Sequence, residues 1–239
     1  MSSFVTNPTA LSANKGPITA WSFSRWKDYD KCPFYCKMKH VNKMKEPSSP
    51  AMERGADIAQ KSEDYFAGRI SRIPAELSSL ADDFRALKKQ KTKFFEQMWG
   101  FKIDWTPTPW NDWNNCWLRA KIDVGYHDGD IVHIRDGKSG KFREQQSQDY
   151  MLQLSLYAAT AAAQFPVAKS FTTQLLYTDL GIRYPNQPVV YTRKEAELLQ
   201  KDWTKRTKKM LNDKTFKPTP GDACRWCAFA KSKGGPCKY

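Results

Sequence analysis

Residues 115–141 read NCWLRAKIDVGYHDGDIVHIRDGKSGK. Two strand-like runs, Asn115 to His127 and Ile131 to Arg135, flank the turn Tyr126-His127-Asp128-Gly129-Asp130, a pattern that predicts an antiparallel hairpin. Asp123 closes one strand and Asp136 the next, so a short turn lets both carboxylates meet at one end of the sheet. Lys138 takes the same side-chain direction as Asp136 if the strand continues, because side chains alternate with a period of two. Two carboxylates and an ammonium then converge on one point. Phosphodiester hydrolysis needs such a set: hard oxygen ligands for Mg²⁺ or Mn²⁺, and a lysine beside the attacking hydroxide and the phosphate.

On either side of this hairpin the periodicity is helical. Ser22 to Val41 reads as an N-capped helix interrupted at Pro33, Met52 to Ala67 as a helix closed by Gly68, and Glu76 to Lys91 as a third. Phe94 to Asp104 is a strand ahead of the hairpin. Ser147 to Phe165, apolar on one face, is a helix, followed by strands Ser170 to Thr178 and Pro188 to Thr192 and a basic helix Arg193 to Asn212. The order predicts an α/β core on a mixed sheet.

The 239-residue chain is 40% hydrophobic and 13% aromatic, enough for a sizeable core, and its length favours one domain over residues 18–239 behind a flexible tail, 1–17. Thirty-nine Lys and Arg against 25 Asp and Glu leave a net charge of +14, which suits a polyanionic partner. There is no apolar run of about 18 residues and no signal-peptide layout at the start, so a cytosolic protein (host cytoplasm if viral) without membrane association is expected. In that compartment the six cysteines are ligands or core residues rather than disulfides.

Asp136-Gly137-Lys138-Ser139-Gly140-Lys141 resembles the Asp-x-Lys-Thr-Gly-Lys signature of RecB-like nucleases of the PD-(D/E)XK superfamily, and Lys121-Ile122-Asp123 resembles the Gly-x-Ile-Asp strand that precedes it. Gln153 and Tyr157 match that family's Gln-x-x-x-Tyr helix, and Ser22-Phe23-Ser24 with Cys32-Pro33 resembles its N-terminal Ser-x-Ser…Cys-Pro entry. The resemblance implies a restriction-endonuclease-like core, a mixed central sheet flanked by helices. Asp123 and Asp136 would hold Mg²⁺ or Mn²⁺, Lys138 would assist water and phosphate, and Gln153 and Tyr157 would orient the lysine or the DNA backbone. It further implies an exonuclease acting on DNA ends or single strands, in recombination, repair or phage DNA processing, and the short length leads to the expectation that any helicase or recombination partner is a separate chain.

Cys224-Arg225-Trp226-Cys227 with Cys237 resembles the C-terminal cysteine triplet of iron–sulfur members, such as the CRISPR adaptation exonucleases and the AddB-type nucleases. Their fourth ligand is an N-terminal cysteine followed by proline, which Cys32 matches. The resemblance implies a [4Fe–4S] cluster joining the two ends of the domain, although four thiolates suit structural Zn²⁺ equally well. Cys36 reads as a core or near-site thiol and Cys116 as packing.

One position departs from the family. Many members carry Arg-Gly-x-x-x-His-x-x-x-Glu on the helix before the sheet, its histidine a metal ligand; here Arg54-Gly55 is followed by Ala59 at the histidine position and Glu63 at the glutamate. Alanine coordinates nothing. Glu63, one turn on, is the candidate replacement ligand and Glu96 an outer one. Two readings therefore stand, a metal-dependent deoxyribonuclease and a catalytically weak or inactive DNA-binding or assembly module. For DNA contact the candidates are Lys141 and, on the last helix beside Trp203, Lys205, Arg206, Lys208 and Lys209.

Overall fold

The computed structural model describes residues 16–239, so the tail expected over 1–17 falls almost wholly outside the described residues. The elements are α1 (Phe23–Lys31), α2 (Pro33–Cys36) with a π-helical turn (Lys37–Val41), α3 (Pro50–Ala67), a 3-10 turn (Ala75–Leu80) and α4 (Ala81–Lys89). Then come β1 (Phe94–Phe101), β2 (Pro107–Thr108), β3 (Leu118–Asp128), β4 (Ile131–Lys138), α5 (Ser147–Gln164), β5 (Ser170–Tyr177), β6 (Ile182–Thr192) and α6 (Arg193–Asn212). The strands form one mixed sheet in the order β2-β1-β3-β4-β5-β6. Among the described residues no helix is long and apolar enough to cross a membrane.

The chain gathers into two compact units, each assembled from separate stretches of sequence. The larger spans Pro47–Trp99 and Ala120–Trp203. Its frame is the expected hairpin, with Val124 opposite Arg135 and Asp128 opposite Ile131 in antiparallel register. One step further along the same register Asp123 stands opposite Asp136, and cross-strand partners share a face. β5 then lies parallel to β4, Asp136 beside Leu175 and Lys138 beside Tyr177. A parallel neighbour requires a crossover, and α5 supplies it.

α5 is buried almost all round rather than on one face, since Leu154 to Ala162 are all enclosed. Its alanines let the helix lie close to the sheet. α3 begins at the Ser49 cap, whose hydroxyl accepts from the Met52 N–H, and ends at Gly68 in the left-handed region, φ 77°. Ile58, Phe66, Leu77 and Phe84 from this helical segment bury against Val124 and Leu176. Full burial of a side chain of that size contributes about 1.5–3 kcal/mol, which fixes α3 and α4 in the unit.

Several strand ends differ from the sequence reading: β1 stops at Phe101 rather than Asp104, β3 begins at Leu118 rather than Asn115, and Asp123 lies in the middle of β3 instead of closing it, because the pairing with β4 runs on to Asp128. β4 continues through Lys138, beyond Arg135, because the parallel pairing with β5 carries it on. β6 begins at Ile182 rather than Pro188, and it includes Pro185 and Pro188. β6 is an edge strand, where a missing N–H costs no ladder bond, so prolines that read as a strand boundary are accommodated.

The smaller unit comprises the described residues up to Glu46, Gly100–Arg119 and Thr204–Tyr239. The Ser22 hydroxyl caps α1, and the helix stops at Cys32, held extended ahead of Pro33 at the start of α2. Trp21 and Trp105 both meet Trp117 edge-on, with ring centres 5.3 and 5.9 Å away, and the Trp105 indole N–H donates to Thr204 Oγ1 at 3.0 Å. Tyr29 closes on the far end of the sequence, donating to Asp213 Oδ2 at 2.8 Å. These contacts place Trp21, Trp105 and Trp117 in core packing.

Candidate active site

Asp136 is 2% exposed on β4, and three side chains converge on it. Tyr157 Oη donates to Asp136 Oδ1 at 2.5 Å, Gln153 Nε2 donates to Tyr157 Oη at 2.8 Å and to Asp136 Oδ1 at 3.4 Å. The other oxygen, Oδ2, faces Lys138 Nζ 2.6 Å away and has no further partner among the described residues. The Gln-x-x-x-Tyr pair thus holds the Asp136 carboxylate. Four residues of separation on α5 put both groups on the face over β4.

Asp123 Oδ2 accepts from the Gly137 N–H at 2.9 Å, which ties it to the neighbouring strand. Burial pushes its carboxyl well above the usual range, and the adjacent Asp136 adds to the rise against the opposing pull of Lys138. Lys138 is affected the other way: burial alone would depress its ammonium, but Asp136 and Asp123 outweigh that and raise it. Burial and then Asp136 keep the Tyr157 phenol protonated. Two enclosed carboxylates with one cation between them hold more negative charge than Lys138 neutralises. A divalent cation fits that electrostatic deficit.

The raised Asp123 carboxyl has a consequence for stability. A carboxyl whose folded pKa lies above its unfolded value, about 4, binds its proton more tightly when folded, so ionising it costs folding free energy. The penalty is absent below the unfolded value and grows as pH rises through the folded one. Asp123→Asn, which keeps an oxygen for Gly137, is expected to raise the melting temperature of metal-free protein near neutral pH, and the gain should vanish in acid. A gain independent of pH would show that Asp123 ionises freely.

One pocket contains Asp123, Gly137, Lys138, Ser139, Glu96 and, from α3, Gly55, Ala59 and Ser62. Ala59 therefore lines the same cleft as the aspartate and the lysine. Glu63 does not line it; its carboxylate is paired with Arg69 at 2.7 Å. Glu96 does line it, paired with Lys121, and its backbone is left-handed at φ 49° in the middle of β1. A non-glycine residue held there stores about 1–3 kcal/mol, and such strain gathers at functional sites. Thr178 and Asp179, which contact the end of β4 and the loop after it, were not singled out in the sequence, and Ser139 and Arg54 entered only as members of the quoted motifs.

In the smaller unit Cys32, Cys224, Cys227 and Cys237 line a single pocket with Tyr35, Pro218 and Tyr239. Backbone N–H groups point at two of the sulfurs, Thr219 at Cys32 Sγ and Gly221 at Cys224 Sγ, each at 3.5 Å. Burial pushes the Cys227 thiol up. Cys36 is fully buried outside this pocket, its thiol pushed up to about 12 by burial and then by Asp28, and it bonds the Arg25 carbonyl. Cys116 bonds the Leu118 carbonyl in the core. Among the described residues no group of three or more His, Cys, Asp or Glu side chains stands in a geometry that could hold a metal ion.

The DNA-contact candidates Lys141, Lys205, Arg206, Lys208 and Lys209 are all exposed, while Trp203, Thr207 and Met210 form the buried stripe of α6.

A family model described as the PD-(D/E)XK nuclease superfamily matches residues 20–232. Among solved structures, a candidate exonuclease from Eubacterium rectale aligns over 95% of this chain and 93% of its own at 14% identity and a TM-score of 0.47. The protein SSO0001 aligns over 92% and 87% at 13% identity and a TM-score of 0.43. No curated protein matches the sequence significantly.

Proposed function

Because the chain belongs to the PD-(D/E)XK nuclease superfamily, we propose that it is a metal-dependent deoxyribonuclease acting as an exonuclease on DNA ends or single strands, in recombination, repair or phage DNA processing. The observation that carries this reading is the Asp136 carboxylate, fixed by Tyr157 and Gln153 on one oxygen and facing Lys138 with the other, next to Asp123. Asp123 and Asp136 would hold Mg²⁺ or Mn²⁺, which when bound supplies positive charge to the scissile phosphate and acidifies water. Lys138, kept protonated by the two carboxylates, offers an ammonium donor to developing negative charge. Tyr157 and Gln153 donate hydrogen bonds to one oxygen of Asp136 and so hold the other as an acceptor beside Lys138. The net charge of +14 and the exposed cations of α6 support a polyanionic substrate.

Degradation of labelled linear DNA in Mn²⁺ or Mg²⁺, compared with closed circular and single-stranded DNA, tests this reading. Loss of linear and single-stranded DNA with circular duplex spared is expected. No loss of any substrate over a wide range of metals would leave the weak or inactive DNA-binding module as the better reading. That second reading has its own observation: Ala59 lines the cleft where the resemblance places a metal-binding histidine. Restoring the ligand with Ala59→His is expected to lower the Mn²⁺ needed for half-maximal cleavage by at least about tenfold. Equal activities of the two proteins in limiting Mn²⁺ would mean that Ala59 does not occupy a ligand position.

For the cysteines the proposal is a [4Fe–4S] cluster on Cys32, Cys224, Cys227 and Cys237. Their shared pocket and the two backbone N–H groups aimed at sulfur support a set of thiolate ligands. Zinc would use the same four residues. Visible absorption and metal stoichiometry of anaerobically purified protein separate the two.

A further inference from the structure

We propose that Asp179 is the positioning residue that sets Lys138 in the active cleft; this rests on the nuclease reading above. Lys138 ends β4, and its carbonyl is gripped twice by Thr178, by the N–H at 2.9 Å and the hydroxyl at 3.3 Å. Two residues on, the Gly140 N–H donates to Asp179 Oδ2 at 2.6 Å. Gly140 sits at φ 86°, a conformation that aims this N–H and that a side chain would strain. Asp179 itself is held in the turn from β5 to β6, where the Leu180 and Gly181 N–H groups both donate to the Tyr177 carbonyl.

The same carboxylate receives both terminal nitrogens of Arg54, each at 2.7 Å. Arg54 lies on α3 just before Gly55, which lines the cleft with Ala59 and Ser62, and a Cβ on Gly55 would come within 3.4 Å of Ser139 Oγ. One side chain therefore joins the loop leaving Lys138, the β5–β6 turn and the helix that carries Ala59. Arg54, first of all, and the Gly140 N–H hold the Asp179 carboxyl below its usual range, so it is charged wherever the cleft would work.

An ordinary surface ion pair would contribute about 0–1 kcal/mol and nothing to the site. Arg54 is half exposed, so little stability is expected from this pair, and the clamp should be read in rate instead. Asp179→Ala is expected to lower kcat for DNA cleavage about 10- to 100-fold, as a small displacement of a catalytic group does, with KM for DNA and the melting temperature close to wild type. Hydrogen exchange of the Gly140 amide, followed by NMR, should accelerate in the same variant. Asp179→Asn keeps an oxygen for Gly140 but loses the charge that Arg54 grips, so its kcat should fall between the two. If Asp179→Ala unfolds, Asp179→Asn decides alone, a wild-type kcat with wild-type Gly140 exchange overturning the proposal. If the wild-type protein cleaves no DNA, the nuclease reading falls, and unchanged Gly140 exchange in Asp179→Ala would still overturn the clamp.

Discussion

Lys138→Ala is expected to lower DNA cleavage at least about 100-fold while strengthening the stabilisation that Mn²⁺ gives the folded protein. Both effects follow from one contact. Lys138 Nζ sits 2.6 Å from Asp136 Oδ2, so the ammonium occupies the oxygen that a cation would share. Removing it takes away transition-state stabilisation and leaves Asp136, buried and still bonded to Tyr157, with an uncompensated charge. Metal-free Lys138→Ala should therefore melt below wild type, and added Mn²⁺ should restore more than it restores in wild type. A differential scanning experiment over a Mn²⁺ titration, paired with the cleavage assay, reads both. Undiminished cleavage would remove Lys138 from the chemistry. Lost cleavage with no larger Mn²⁺ shift would mean that the lysine and the metal do not compete for Asp136.

The hairpin was legible because strand pairing converts a sequence pattern into a position: although Asp123 and Asp136 lie within β3 and β4 rather than at their ends, the register carries them opposite one another. Gln153 and Tyr157 were legible as a pair, since helical spacing fixes their common face, but not what they hold; the crossover that sets α5 over Asp136 is a long-range contact with no local trace. Glu63 was drawn from the spacing on α3, which gives a turn but not a direction, and Arg69 claims it instead. Glu96 was legible as a strand residue and candidate outer ligand, but its left-handed backbone, which no local pattern signals, was not. The Arg54–Asp179 contact joins residues far apart in sequence through side chains that look like ordinary surface charges.

Cys32→Ser is expected to lose the bound metal and to lower the melting temperature. Cys32 lies at the joint between α1 and α2, whereas Cys224 lies within a 3-10 turn that Cys227 ends, near the other end of the chain, so ligands on both would cross-link the first and last segments of the smaller unit. Such a link is favoured by the loop entropy it removes from the unfolded chain, and metal–thiolate bonding becomes folding free energy. Loss of even about 3 kcal/mol lowers the melting temperature of a chain this size by roughly 6–12 °C. Cys36→Ser is the control: Cys36 is buried outside the pocket and bonds the Arg25 carbonyl, so that variant should keep its metal content even if packing suffers. Iron in wild type, absent from Cys32→Ser and retained in Cys36→Ser, is the expected result. Zinc following the same pattern would keep the ligand set and replace the cluster, and full metal content with an unchanged melting temperature in Cys32→Ser would remove Cys32 from the site.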